Sequence, residues 1–540
     1  AIPDLELGRT AQFHWRDPFA PATARRVQRE AANLVAPYKG NPLRIGYFLD
    51  NEVGWWNGAL FLWYIKQPAT NHTKQRLVAL LRDHYRNDWR RFTYDFLPPS
   101  GVTSFAALLA TQDRITRLRP GGRGIQAIRR FTALVADHYY RLLYSALREA
   151  DPEALIFSDR LPIYYDPDAV RAMAPYVDVI ATNYDIDTPE GWAARYYFAG
   201  LRALTEGKPV LVSEWFFAAR ENRTGNLNNG QLMTVPTQTE RAHGAMAAAQ
   251  RLAREPQVVG LHWFQYYDHP QGGRPDGEDY NFGLVDIDDR PYEALTAAFS
   301  RVNPSLARIH GQGLPPAPAA DRESYSIPEA NIDLQDRSLR DWPLAAAFVS
   351  GLTAQPGEVV FGDLYLAWNR AGLYLATIAM DYYDPLLLAY DGPFPRNEAF
   401  RIAWGIDGGA GPRRFSLAFV PQKASPGQGD PQLALELCCQ DGTPCTPLPA
   451  ALASAVGGGL PRLSAEVLIP WQALGLAGPP PDRQLRLEVT ATSFYRSRWM
   501  SWSGLAPERS LSHPDRWQVV RLGSPSDGSG SGHQEGTPEE

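Results

Sequence analysis

Five times along this chain an apolar run ends abruptly in polar or charged residues and gives way to a helical pattern. The runs are "IGYFLDNE" (45–52), "ALIFSDRL" (154–161), "VDVIATNYD" (177–185), "PVLVSEWFF" (209–217) and "VVGLHWFQYYDHP" (258–270). Helical periodicity marks residues 21–37, 71–94, 124–150, 166–176, 190–206, 237–254 and 291–310. Apolar strands that alternate with amphipathic helices predict an α/β fold, a parallel sheet covered by helices. In a (β/α) barrel the carboxyl ends of the strands form one face, and the active site lies there. The polar strand ends Asn51–Glu52, Asn183–Tyr184, Glu214 and His262–Trp263 are therefore expected to line a shared cleft.

Hydrolysis of a glycosidic bond needs two carboxyl groups, one to protonate the leaving oxygen and one to attack the anomeric carbon or activate water. Glu52 and Glu214 each close a predicted strand and are the candidates. Asn51 is placed to hold a sugar 2-hydroxyl. Tyr184 is placed to donate a hydrogen bond to a nucleophilic carboxylate, and Trp263 to floor the sugar pocket. Each motif alone has a plainer explanation. "DNE" after a strand is also a helix cap, and His262 and Trp263 also suit packing. Trp55 and Trp56 are either sugar platforms or packing for the loop that follows. Together, on successive strands of one parallel sheet, these motifs favour chemistry.

Aromatic residues make up 11% of the chain, which suits stacking on sugar faces and equally suits a core. A net charge of −6 speaks against a nucleic-acid partner. No apolar run is long enough to span a bilayer, so no membrane partner is expected, and neither is a metal or cofactor. Cys438, Cys439 and Cys445 include no CxxC pair. A Cys439–Cys445 disulfide would suit a secreted or periplasmic setting, and three free thiols are the equal alternative. No signal peptide opens the chain.

The pattern changes after the Pro/Ala-rich stretch 313–327, expected to link a barrel region (1–312) to a second domain. Alternating strands over 359–382, 399–407, 414–421, 462–470, 484–494 and 517–522 predict an all-β sandwich over 328–523. A Gly/Ser/Glu-rich tail, 524–540, is expected to be disordered.

Residues from about 12 to 300 resemble glycoside hydrolases of clan A, most closely the β-agarase and β-galactosidase-like families. The resemblance rests on "YFLDNE", on "VLVSEW", and above all on "HWFQYYDHPQGGRPDGEDYNFGLVD" (262–286). It implies an acid/base at Glu52 and a nucleophile at Glu214. It also implies a retaining, double-displacement hydrolase of β-linked galactan or agarose-type poly- or oligosaccharides. The long motif adds Tyr266, Arg274, Asp276 and Glu278 to Asn51, Asn183, Tyr184, His262 and Trp263 as expected substrate-binding residues. Its departures, His269 for the usual Gln and Asp279 for the usual Asn, bear on sugar specificity. Residues 328–523 loosely resemble a family-nine-like carbohydrate-binding sandwich, through "RDWPL" (340–344), "GDLYLAWNRAGLYLAT" (362–377) and the stretch 500–522. The competing function is a non-catalytic carbohydrate-binding or scaffold protein.

The resemblance assigns "DNE" to the fourth strand of a (β/α)8 TIM barrel, yet only 43 residues precede Arg44. Three βα units need roughly 100 residues or more. The expectation is a barrel lacking its first three units, five parallel strands between Arg44 and Tyr267, and a Glu214 without the arginine that strand two supplies. A separate N-terminal fragment completing the barrel is the expected partner.

Overall fold

A computed structural model describes residues 8–9, 14–15, 17–55, 58–119, 123–162, 165–230, 232–314, 325–336, 338–380, 387, 400–407, 413–421, 433–439, 446–447, 453–457, 462–493 and 498–523. Five parallel strands form the heart of its first half: β1 (Gly46–Phe48), β2 (Leu155–Phe157), β3 (Ile180–Asn183), β4 (Val210–Trp215) and β5 (Val258–Trp263). β1 pairs with β2, and β3–β4–β5 form a continuous ladder. Parallel bridges Phe157–Val179 and Leu161–Thr182 join the two groups, so spatial order follows chain order. Gly46 permits the β1–β2 approach, because a Cβ there would lie 2.1 Å from the Leu155 carbonyl oxygen.

The covering helices are α1 (Pro21–Val35), α2 (His72–His84), α3 (Trp89–Asp95), α4 (Ile125–Ala150), α5 (Pro167–Met173), α6 (Arg195–Leu204), α7 (Gln238–Arg254), α8 (Glu293–Val302) and α9 (Leu306–Gln312). The single helix expected over 71–94 is two. Arg86 and Asn87 turn left-handed at φ 52° and 57°, and Asp88 caps the second helix by accepting from Arg90 and Arg91 N–H. The helix expected from residue 190 begins only at Arg195.

Among the described residues β1 pairs only with β2, and β5 only with β4. Val259 on β5 is 64% exposed. Beside it runs an apolar groove of about 1040 Å³ lined by Val259, Leu261, Trp263, Phe299 and Leu306. No helix among the described residues is long and apolar enough to cross a membrane.

The second half holds two sheets. One runs in the order Tyr325–Ile327, Gln518–Leu522, Gln484–Thr492, Phe400–Asp407, Arg413–Pro421, Leu433–Cys439, Thr446–Pro447. The other contains β6 (Gly362–Trp368) and β7 (Gly372–Met380), followed by Arg462–Pro470 and Ala453–Gly457. Leu364, Leu366 and Trp368 share a core with Ile402, Leu487 and Val489 of the first sheet. Successive side chains point to opposite faces of a strand. Tyr365, Ala367, Tyr374 and Ala376 accordingly join the core of the helical half.

Polar ties reinforce that contact. Asp363 accepts from the N–H groups of Arg195 (2.7 Å) and Tyr196 (3.0 Å), closing the N-terminus of α6 from the other half of the molecule. Trp192 Nε1 donates to Tyr365 Oη at 2.9 Å. Arg129 on α4 pairs with Asp168 at 2.6 Å and with Glu358 across the boundary. The stretch expected to be a linker ends in ordered structure. Tyr325–Ile327 pair in parallel with Gln518–Leu522, because their apolar side chains complete the second core. Residues 315–324, the tail 524–540, Trp56, Cys445 and the side chains of Cys438 and Cys439 lie outside the described residues.

Burial raises three acids at or near this junction: Asp363 to about 7, Glu466 to about 7 and Glu255 to about 8. Such groups hold protons more tightly folded than unfolded. Their penalty is absent below the ordinary carboxylate range and grows as pH rises towards the folded values. The melting temperature is expected to be higher at pH 5.5 than at pH 8.5. Glu255→Gln should recover part of the loss at pH 8.5 and much less at pH 5.5, as calorimetry at the two pH values would show. An equal effect of Glu255→Gln at both would contradict the assignment.

Candidate active site

Backbone hydrogen bonds stitch the carboxyl ends of the strands together in order. Glu52 N–H donates to Asp159 O (2.8 Å), Asn183 N–H to Leu161 O (2.7 Å), Tyr184 N–H to Glu214 O (2.8 Å) and Phe264 N–H to Trp215 O (3.0 Å). Two residues on this rim, Glu52 (φ 50°) and Arg160 (φ 46°), are non-glycines in the left-handed region. Such conformations persist only where their surroundings enforce them.

Glu52 and Glu214 both stand here. Asn183 Nδ2 donates to Glu52 Oε1 at 2.9 Å, and Asn183 Oδ1 accepts from Ser213 Oγ at 2.8 Å. Asn183 is thus buried as a strut between Glu52 and the strand that bears Glu214. Arg160 Nη1 donates to Glu214 Oε1 at 2.6 Å. Burial pushes the Glu214 carboxyl up to about 7, Arg160 pulls it down, and the charges of Glu52 and Glu278 push it up. The arginine expected to be missing was that of an earlier barrel strand, yet Glu214 does have an arginine neighbour. The end of β2 supplies one.

Two expected roles fail for one reason each. Tyr184 is 1% exposed and packs edge-on to Tyr197. Its hydroxyl donates to Asp187 rather than to Glu214 and accepts from Ala194 N–H, so it closes the following loop instead of facing sugar. Trp263 pairs in register with Trp215, the neighbour of Glu214. Strand alternation turns both rings away from Glu214, into the helix layer. Trp263 packs 4.9 Å from Trp215 and 5.0 Å from Phe299, and its Nε1 donates to Phe282 O. It lines the apolar groove, not the cleft.

His262, one residue earlier, is exposed beside Arg160. Desolvation and the Arg160 charge hold its imidazole below the usual value. Asn51 lies next to Glu52, with its Oδ1 buried and unpartnered. Tyr266 is exposed, edge-on to Tyr267 at 4.8 Å. Arg274, Asp276 and Glu278 form one tight turn: Arg274 N–H donates to Glu278 O (2.7 Å), and its guanidinium bonds both acids. Desolvation raises the Glu278 carboxyl, Arg274 lowers it, and the charges of Asp276 and Glu52 raise it, so this turn lies within electrostatic reach of the acid pair.

The two departures from the resembled motif are interior. His269 accepts from Tyr280 N–H through Nδ1, with Nε2 3.8 Å from Glu278. Asp279 latches the preceding loop by accepting from Asn226 Nδ2 (2.7 Å) and Leu227 N–H (3.1 Å). They shape the loop from beneath and do not face the cleft as specificity groups. Sequence reasoning missed Arg160, Asp159 and Ser213. The signal for the first two was present, since "SDR" ends β2 as "DNE" follows β1.

No protein-family model matches the chain. β-Agarase B of Vibrio sp. strain JT0107 is 26% identical over 319 residues, 54% of this chain and 31% of its own. β-Agarase A of the same strain is 28% identical over 322 residues, 56% of this chain and 31% of its own. Two solved structures are similar: an agarase, AgWH50C (26% identity, 57% of this chain and 43% of that one, TM-score 0.47), and an exo-β-agarase (24% identity, 57% and 42%, TM-score 0.49). The chain spans about a third of the length of the curated relatives it matches. These homologues are β-agarases, aligned with little more than half of this chain.

Proposed function

We propose that this chain carries the carboxylate pair of a glycoside hydrolase acting on agarose or a related β-linked galactan. The observation that carries the reading is the pair itself. Glu52 and Glu214 stand at the ends of two parallel strands, one held by Asn183 and the other by Arg160. The β-agarase homologues point to the substrate class.

In this reading the carboxylate form of Glu214, aimed by Arg160, attacks the anomeric carbon. The bond to the leaving oxygen breaks, and Glu52 passes its proton to that oxygen. Water then attacks the glycosyl ester, gives its proton to Glu52, and releases Glu214. Asn51, His262, Tyr266 and the Arg274–Glu278 turn contact the sugar. The five strands form the later part of a (β/α)8 barrel, which further parallel strands would complete on the sides of β1 and β5 that pair with no strand among the described residues. The second half is a sandwich that braces these helices.

The test is incubation with agarose, galactan and glucan oligosaccharides, with the configuration of the first-formed product read by NMR. Retained β configuration supports double displacement. Inverted product would reassign Glu214 as the base of a single displacement. Sugar binding without turnover would move the chain to the non-catalytic class.

A further inference from the structure

Beneath the two acids lies a buried polar cluster that no step above uses. Asp50 and Asp159 are both fully buried. Tyr139 Oη donates to Asp50, and Tyr140 Oη donates to Asp159 Oδ1 at 2.8 Å. Trp55 Nε1 reaches Tyr140 Oη (2.7 Å) and Asp159 Oδ2 (3.2 Å). The three rings pack on one another with centroids 5.3–5.6 Å apart. Both tyrosines sit on α4, which is anchored by its apolar face, so the cluster ties the rim to a rigid element.

The backbone at Asp159 faces both acids. Its carbonyl accepts the Glu52 N–H. The next residue, Arg160, turns left-handed and delivers its guanidinium to Glu214. Asp50 and Trp55 flank Glu52 in sequence and are tied to the same helical turn. We propose that Asp159, clamped by Tyr140 and Trp55, is a positioning residue that sets the spacing and aim of Glu52 and Glu214 together. The physical reason is that two left-handed residues need external restraint, and this clamp supplies it to both. Misplacement by about 1 Å is enough to cost on the order of 10²-fold in rate.

The inference rests on the reading of Glu52 as acid and Glu214 as nucleophile, so the experiment separates the two. Tyr140→Phe removes one hydroxyl and keeps the ring. Asp159→Asn keeps the shape and the backbone carbonyl. On aryl glycosides of increasing leaving-group pKa, Glu52→Ala is the control. Both positioning variants should lose roughly 10-fold or more on poor leaving groups, where both acids act, and a smaller but measurable factor on good ones, where the aim of Glu214 alone is felt. The second readout needs no turnover: the Glu214 titration in full-length protein carrying 13C-labelled glutamate, assigned with Glu214→Gln. The groups facing it are Arg160, Glu52 and Glu278, with His262 beside Arg160. Loosening Arg160 should move its midpoint upward in both variants, whereas a purely structural clamp would lower stability and leave the midpoint in place. If Glu52→Ala shows no leaving-group dependence, the catalytic reading fails. If it does and the two variants match the parent in both readouts, the positioning inference fails alone. Should one variant not fold, the other decides, and an unmoved Glu214 midpoint overturns the proposal.

Discussion

Replacement of Glu214 by glycine is expected to lower turnover by on the order of 10⁴-fold or more, the scale seen when a covalent nucleophile is removed. The carboxylate it removes is the one fixed by Arg160 at 2.6 Å. In the proposed double displacement the same change opens space beneath the anomeric carbon, where azide can enter. Azide attacking a β-glycoside from that side inverts it, so the product should be the α-glycosyl azide. Glu52→Ala should behave differently. Substrates with good leaving groups need little proton donation and should retain most activity, while natural oligosaccharides should lose roughly 10²–10⁴-fold. With Glu214 intact the first displacement still occurs, and azide then captures the glycosyl ester to give the β-azide. Exchange of the two product configurations would mean that the roles are reversed. Absence of either azide with both variants would remove the covalent intermediate.

Arg129→Met should be the most damaging change away from the cleft. Arg129 lies mostly buried between Asp168 on α5 and Glu358 of the second half. Its removal leaves Asp168 with Arg171 (3.1 Å) and Glu358 with the more distant Arg498 (3.9 Å) as their remaining cations. Breaking a buried pair in this way costs about 3–5 kcal/mol. Arg498 stands 3.9 Å from both Asp166 and Glu358 and softens the loss, so a value near the lower bound is expected. Denaturant unfolding measures it. A change under about 1 kcal/mol would show that Arg129 is screened by solvent. The double variant Arg129→Met with Glu358→Gln should regain part of the loss, since it removes one of the charges that Arg129 paired.

The parallel strands were legible because the sequence marks them twice, by apolar runs and by the polar residues that end them. Glu52 and Glu214 were found by that rule, and Arg160 obeys it equally. It was passed over because a cation was sought on an earlier strand, and an arginine after an apolar run is an unremarkable surface feature until its φ is known. Tyr184 and Trp263 went wrong for a different reason. Strand residues alternate in direction, and one position decides between cleft and core. The β4–β5 register places Trp263 opposite Trp215, and its irregularities cannot be counted from composition. The junction between the halves was illegible altogether, since Arg129 and Glu358 lie 229 residues apart and neither belongs to a motif.

Asp363 carries a consequence for how such a chain can be rearranged. Carbohydrate-active proteins are commonly imagined as beads on a string, with appended units free to be exchanged. Here the bead's own carboxylate finishes a helix in its neighbour, and the alternate residues of two of its strands fill the neighbour's interior. Grafting a foreign unit after residue 327 would leave α6 with an open first turn and Trp192 without its Tyr365 acceptor. Rearrangements of the second half that spare Asp363 and the alternate residues of β6 and β7 keep the seam intact.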